Sequence, residues 1–235
     1  MTLTDDLLEN YSILDLSFEL QENIPYFPTH APFKHISWET PATGAAYSFA
    51  LFLDEHSGTH VDSTMHFPHT GRRWIDQISI REFIGRSGVV DCRRKKYREL
   101  VTVGDLKRWE KKYSNIRGLD VLLFNYGWGR KFRPLPSGRA YLEGWPGLSP
   151  RAASYVVECG VRLVGCDTIS IDCDGAHGFP AHQILLSKEV KVIESLANLN
   201  AAPPVGGFFM GVPLKIVHGS ASPVRAFMFV RKRDQ

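Results

Sequence analysis

The residues able to do chemistry are concentrated in one place. The stretch Leu53–Gly71 reads LDEHSGTHVDSTMHFPHTG and holds His56, His60, Asp62, His66 and His69 within fourteen residues. Neutral imidazole and carboxylate are ligands for zinc and other first-row divalent cations, and no cysteine stands nearby to suggest a structural thiolate site. On a helix His56 and His60 would share a face, but Asp62 would fall off it, and Gly58-Thr59 is a poor helix centre. In an extended chain, positions 56, 60, 62 and 66 have the same parity and face one side. A straight strand would still put His56 and His66 roughly 33 Å apart, too far to share a cation. The chain must bend inside the cluster, and Gly58 is the residue that permits it.

One segment rarely closes a metal site, so a distant group is expected to complete this one. The candidates lie in GAHGFPAHQILLSKEVKVIESL, where His177, His182, Glu189 and Glu194 occur together. Glu194 follows Val192 and Ile193 and precedes Leu196, inside a strand-like apolar run. A carboxylate there is either exposed at a sheet edge or buried beside a cation.

The elements that must position these groups are mostly short strands. SILDLSF, YSFALFLD, SGVVDC, LDVLLFN, VRLVGC, VKVIESL and PVRAFMFV are β-branched or aromatic-rich and bounded by turn residues. Thr102 caps a helix over VGDLKRWEKKY, Ser149-Pro150 opens another over PRAASYVVEC that Gly160 closes, and a shorter one is expected at PAHQILLS. RPLPSGRAYLEGWPGLSP reads as a lid or an oligomer contact, with Tyr141 and Trp145 as interface anchors. No linker or repeat divides residues 1–235, which predicts a single α/β domain with a mixed sheet.

Composition excludes several classes of function. A net charge of +3 among 235 residues is weak, and the basic runs Arg93–Lys96 and Arg231–Arg233 read as solvated segments, so no nucleic-acid partner is expected. The four cysteines form no CxxC pair and read as reduced thiols of an intracellular protein. The acidic start MTLTDDLLENYSILD has no signal-peptide pattern, and no apolar run approaches a membrane span. A cytoplasmic protein without a membrane partner is expected.

The run His56-Ser57-Gly58-Thr59-His60-Val61-Asp62-Ser63-Thr64-Met65-His66-Phe67 resembles the HxGTHxDxPxHF motif of the metal-dependent cyclase family, which includes bacterial kynurenine formamidases and isatin hydrolases. DLSFELQENIPYFP, VLLFNYGW, GLSPRAASYVVECGVRLVGCDTISID, HQILLSKEVKVIESLANL and GVPLKIVHGSASPVRAFMFV extend the likeness over nearly the whole chain. The resemblance implies a swivelling β/β/α fold, with a mixed, partly closed sheet flanked by helices, assembled as a homodimer or homotetramer. It also implies two divalent metals, zinc or manganese. His56 and His60 would bind the first with Asp62, which bridges to the second, while His182 would complete the second and Glu194 would reach both. His66 would be the catalytic acid/base, near its titration midpoint. Phe27 and Tyr26 would wall the pocket of a flat small-molecule substrate, and Trp74 reads equally as a third ring of that wall or as ordinary core.

Three positions depart from the family pattern. Thr64 replaces the motif proline, which would free the backbone between Asp62 and His66. Phe27 stands between prolines where formamidases carry tryptophan. Asn125-Tyr126 precedes Gly127-Trp128 where a threonine-containing pair is usual. The changes fall on positions expected to touch substrate. The implied reaction is hydrolysis of an amide-like bond by activated water. A metal-assisted lyase or cyclisation is the alternative, and a non-catalytic binding protein is a third reading.

Overall fold

The computed structural model describes residues 7, 9–67 and 69–232. The acidic start through Asp6 and Arg233 of the basic tail lie outside the described residues. Thirteen strands occur among the described residues: β1 (Tyr11–Asp15), β2 (Lys34–Glu39), β3 (Ser48–Phe52), β4 (His60–Asp62), β5 (Ile84–Asp91), β6 (Leu100–Val101), β7 (Val121–Asn125), β8 (Gly147–Leu148), β9 (Leu163–Cys166), β10 (Lys191–Glu194), β11 (Val205–Met210), β12 (Ala221–Pro223) and β13 (Phe227–Arg231). Three α-helices are bounded within the described residues, beside short 3-10 turns: α1 (Val103–Lys112), α2 (Pro150–Glu158) and α3 (Pro180–Ser187).

Nine strands form one sheet in the order β1-β13-β11-β5-β7-β9-β10-β4-β12. The central strands β5, β7, β9 and β10 run parallel, and the outer pairs are antiparallel. Each parallel connection carries one of the three helices, as crossovers require. The sheet is therefore mixed, as expected. It also curls towards closure: Ser17, just past β1, bridges Leu196, just past β10.

The central strands are apolar because both of their faces are covered. On β7, Leu122 and Phe124 pack with Leu106, Val156 and Leu185 beneath the helices. Val121 and Leu123 alternate to the other face, against Phe83, Phe209 and Met228. The helix ends follow their sequence signals. The Thr102 side chain accepts the Asp105 N–H, and that of Ser149 accepts the Ala152 N–H ahead of Pro150.

β11 and β12 carry weak strand signals, and the sequence reading passes over them. Gly206 and Gly207 dilute the first, and Pro223 ends the second. The hairpin β2–β3 stands apart from the main sheet as a two-stranded unit. Among the described residues no helix is long and apolar enough to cross a membrane.

Candidate active site

The histidine motif is not one strand. Only His60–Asp62 is extended, and it lies between β10 and β12 in the sheet. His56 sits in the preceding turn and His66 in the following one, so the shared-face register expected for positions 56 to 66 holds for His60 and Asp62 alone. The bend is at Gly58, where φ is +61° and a Cβ would meet Leu20 Cδ2 at 2.7 Å. Thr59 pins the far side of the bend, since its hydroxyl donates to the Ser195 carbonyl at 2.6 Å and accepts the Phe18 N–H at 3.0 Å.

These constraints collect the side chains around Asp62, which is 0 % exposed. Its Oδ1 lies 2.9 Å from His56 Nδ1 and 3.5 Å from His60 Nε2, while Oδ2 lies 3.4 Å from His182 Nε2. Glu194 divides its oxygens the same way: Oε2 is 3.6 Å from His60 Nε2, and Oε1 is 3.0 Å from His182 Nε2. Glu194 is buried in an interior strand, not at an edge. Neither Asp62 oxygen has a well-formed hydrogen bond despite complete burial. That is an expensive state for a carboxylate unless a cation lies beside it. Ligand atoms of one zinc-sized cation stand roughly 3–3.5 Å apart, and these contacts have that spacing. The donor set therefore fits a divalent metal. The possible ligand groups His56–Asp62–His66 and His60–Asp62–Glu194 share Asp62.

Two ring orientations are set from behind. His60 Nδ1 is 2.9 Å from the Gly58 carbonyl, which leaves Nε2 facing the carboxylates. His182 Nδ1 is 2.7 Å from Asp172 Oδ2. Asp172 also accepts the N–H groups of Ala181 and His182 at the start of α3, so one carboxylate fixes both the helix end and the imidazole. The sequence reading misses Asp172, because no local spacing links it to a ring ten residues away.

Burial and crowding set the charges. Burial disfavours charge on His182, but Glu194, Asp172 and Asp62 outweigh it and raise its pKa well above the usual imidazole value. Burial likewise opposes charge on Asp62, yet the surrounding imidazoles, led by His66, hold it well below the carboxylate range. His66 is pushed down to about 3, first by burial and then by its neighbouring histidines, against the pull of Asp62. It is a neutral ring at pH 7 and does not sit near the midpoint expected for it.

A cavity of about 140 Å³ opens over these groups, lined on one side by His56, His60, His66, His182 and Glu194. Its apolar wall is Phe27, Phe67, Ile169 and Phe179, with Phe179 5.2 Å from Phe67 and 6.2 Å from Phe27 between ring centres. His30 and Ser170 also line it, and His30 Nδ1 and Ser170 Oγ are buried without hydrogen-bond partners. Among the expected aromatics, Phe27 is in place. Tyr26 and Trp74 do not line the cavity, and the Trp74 ring lies 6.1 Å from that of His218 instead.

Other expectations are corrected by the packing. Tyr141 and Trp145 are not surface anchors: they are buried with Ile169 behind the cavity wall. The Tyr141 hydroxyl reaches Ser195 Oγ at 2.9 Å, and the Trp145 ring donates to the Asp172 carbonyl at 2.8 Å. Asn125 and Tyr126 are buried and do not line the cavity. His69 and His177 are exposed and take no part. Thr64 is buried too, and its backbone is held rather than freed. Its hydroxyl accepts the Arg73 N–H at 3.3 Å, and its carbonyl accepts the Thr70 hydroxyl at 2.9 Å.

Comparison with known proteins agrees with this architecture. The chain is 29 % identical over 215 residues to the kynurenine formamidase of Geobacillus thermodenitrificans, covering 91 % of this chain and 95 % of that protein. It is 28 % identical over 240 residues to the isatin hydrolase of Roseibium aggregatum, covering 95 % and 88 %. The crystal structure of an isatin hydrolase bound to the product analogue thioisatinate superposes with a TM-score of 0.89 at 25 % identity, covering 97 % of this chain and 96 % of that one. The Cyclase family model matches residues 14–173, more than half of the sequence, and the chain belongs to that family.

Proposed function

We propose that this protein is a metal-dependent hydrolase of a non-peptide C–N bond, acting on an amide-like group (a formamide, a cyclic amide or a related function) in a small aromatic molecule. Two of its relatives, a formamidase and an isatin hydrolase, are hydrolases by name. The observation that carries the reading is Asp62, a wholly buried carboxylate with no well-formed hydrogen bond to either oxygen, ringed by imidazoles and Glu194.

His56 and His60 would hold one divalent cation, zinc or manganese, and His182 a second. Asp62 and Glu194 would serve both, since each presents one oxygen to either side. A divalent metal so bound supplies Lewis acidity, lowering the pKa of a water towards ~7 and polarising a carbonyl. The chain's own residues do the rest. Phe27, Phe67 and Phe179 hold a flat ring. Ser170 Oγ, buried without a partner on a residue of the cavity lining, offers a hydrogen bond to its polar edge. His66, neutral at pH 7, would take the proton given up by the attacking water at a ring nitrogen and pass it to the departing nitrogen as the C–N bond breaks.

The buried free thiols of Cys92, Cys159 and Cys166 fit a cytoplasmic protein. The hairpin β2–β3 supports self-association. Ile36 and Phe52 on one face, Phe49 and Leu51 on the other, with Trp38 and Tyr47, are all exposed. Together they leave on the order of 700–800 Å² uncovered, close to what each partner of a standard interface buries. An isolated hairpin apolar on both faces is poorly suited to water, and a second copy of this chain is the occupant we assign to it.

Mass spectrometry after incubating metal-loaded protein with aryl formamides and cyclic amides tests the reaction. Products heavier than the substrate by one water in total are expected. Products formed without uptake of water would favour the lyase or cyclisation alternative.

A further inference from the structure

Thr64 stands where the motif has proline, and its surroundings show what replaces the proline's stiffness. The hydroxyl accepts the Arg73 N–H at 3.3 Å, and the Arg73 carbonyl at 3.2 Å and Glu189 Oε1 at 3.3 Å are both within reach of its proton. Glu189 Oε1 also accepts the Arg72 N–H at 3.3 Å, and its Oε2 accepts Arg73 Nε at 2.6 Å. The same guanidinium grips both oxygens of Glu82, at 2.6 and 3.0 Å. Lys191, 1 % exposed, closes the network with bonds to Glu82 Oε2 at 2.7 Å and the Glu189 carbonyl at 3.0 Å.

The position of this network is informative. Glu189 lies in the turn between α3, which carries His182, and β10, which carries Glu194. The Thr64–Glu189 contact therefore ties the motif loop to the second ligand segment across 125 residues of chain. His66 stands two residues beyond Thr64. Its ring packs on His56, with centres 4.2 Å apart, and on Phe67 at 4.4 Å, but makes no hydrogen bond among the described residues. Contacts of that kind do not fix a ring's direction, so the backbone of the Ser63–His66 turn must.

We propose that Thr64, Glu189 and Arg73 act as a clamp that positions His66 for proton transfer, a hydrogen-bonded substitute for the covalent restraint of proline. They are positioning residues: none lines the cavity. The inference rests on the role given to His66 in the hydrolase reading, but the clamp itself can be observed without substrate.

Thr64→Val removes the hydroxyl at nearly constant volume, Glu189→Ala removes the far jaw, and Thr64→Ser restores the hydroxyl. Three quantities are measured on metal-loaded protein: metal content, kcat with KM, and the proton–carbon NMR signal of the His66 ring, assigned with His66→Ala. Thr64→Val and Glu189→Ala should keep their metal and KM and lose about 10- to 100-fold in kcat, the scale of a misplaced reacting group. Their His66 signal should broaden or split, while wild type and Thr64→Ser show one sharp signal and full turnover. An unchanged His66 signal in Thr64→Val would overturn the clamp, as would Thr64→Ser impaired as badly as Thr64→Val. Loss of metal from Thr64→Val would overturn it too, by making Thr64 a support of the ligands. If the signals behave as expected while wild type hydrolyses no amide, the clamp stands and the hydrolase reading fails.

Discussion

Glu194 lies directly opposite His60 across the antiparallel pair of β10 and β4, and their side chains meet with Oε2 3.6 Å from Nε2. The register gives this contact its meaning. Opposed residues share a face of the sheet, so one pairing brings a carboxylate from the second half of the chain onto the imidazole of the motif. Val192 opposes Asp62 in the same register, and a slip by one residue would turn Glu194 to the other face.

His182 should depend on Asp172. The carboxylate holds Nδ1 at 2.7 Å and accepts two backbone N–H groups of the same helix. Asp172→Asn keeps the shape but weakens that hold, so metal affinity should fall about 10- to 100-fold, as for other partners behind a ligating histidine. Competition with a chromophoric chelator measures it, and an affinity equal to wild type would remove Asp172 from the site.

His66 and His60 should fail differently. His66→Ala should retain its metal and lose about 10²–10⁴-fold in kcat, the usual share of a general acid–base group. His60→Ala should lose metal, because His60 faces both Asp62 and Glu194. Elemental analysis beside kinetics separates them, and equal metal loss would make His66 a ligand.

Acid should weaken the protein partly through Glu82. Burial opposes its charge, but Arg73 and Lys191 outweigh that and hold its pKa at about 2, against 4.5 for an ordinary glutamate. A depressed carboxylate contributes stability above its unfolded pKa and loses it as pH falls through the folded one. Wild-type Tm should therefore drop between about pH 4.5 and pH 2 more steeply than that of Glu82→Gln. Parallel slopes would refute the assignment.

Self-association should require the β2–β3 hairpin. Wild type is expected to exceed 26.5 kDa in light scattering, whereas Ile36→Lys combined with Leu51→Lys should shift it to the monomer mass. The core should be unaffected, because the hairpin lies outside the main sheet. A wild-type monomer at micromolar concentration would dispose of the interface.

Much of this was legible because it is local. Thr102 and Ser149-Pro150 announce α1 and α2 through their caps, and Gly58 announces the bend through the conformation that only glycine adopts easily. His60 and Asp62 share a face because strands alternate. What was not legible depends on distant chain segments meeting. Glu194 reads equally as an edge or a buried carboxylate until β4 and β12 cover β10 on that side. Tyr141 and Trp145 look like surface anchors in a Pro/Gly loop, yet Ser195 and Asp172 give their polar atoms buried partners. Thr64 looks like a loosened proline until Glu189 arrives from 125 positions away.

The central claim is that Asp62 holds divalent metal on which hydrolysis depends. The most direct measurement is elemental analysis of wild type and Asp62→Ala, with turnover of an aryl formamide assayed on the same samples before and after chelation and reloading. The account predicts bound zinc or manganese in wild type, activity lost on chelation and restored by the metal, and neither metal nor activity in Asp62→Ala. Wild-type metal content in Asp62→Ala, or full turnover by metal-free protein, would contradict it.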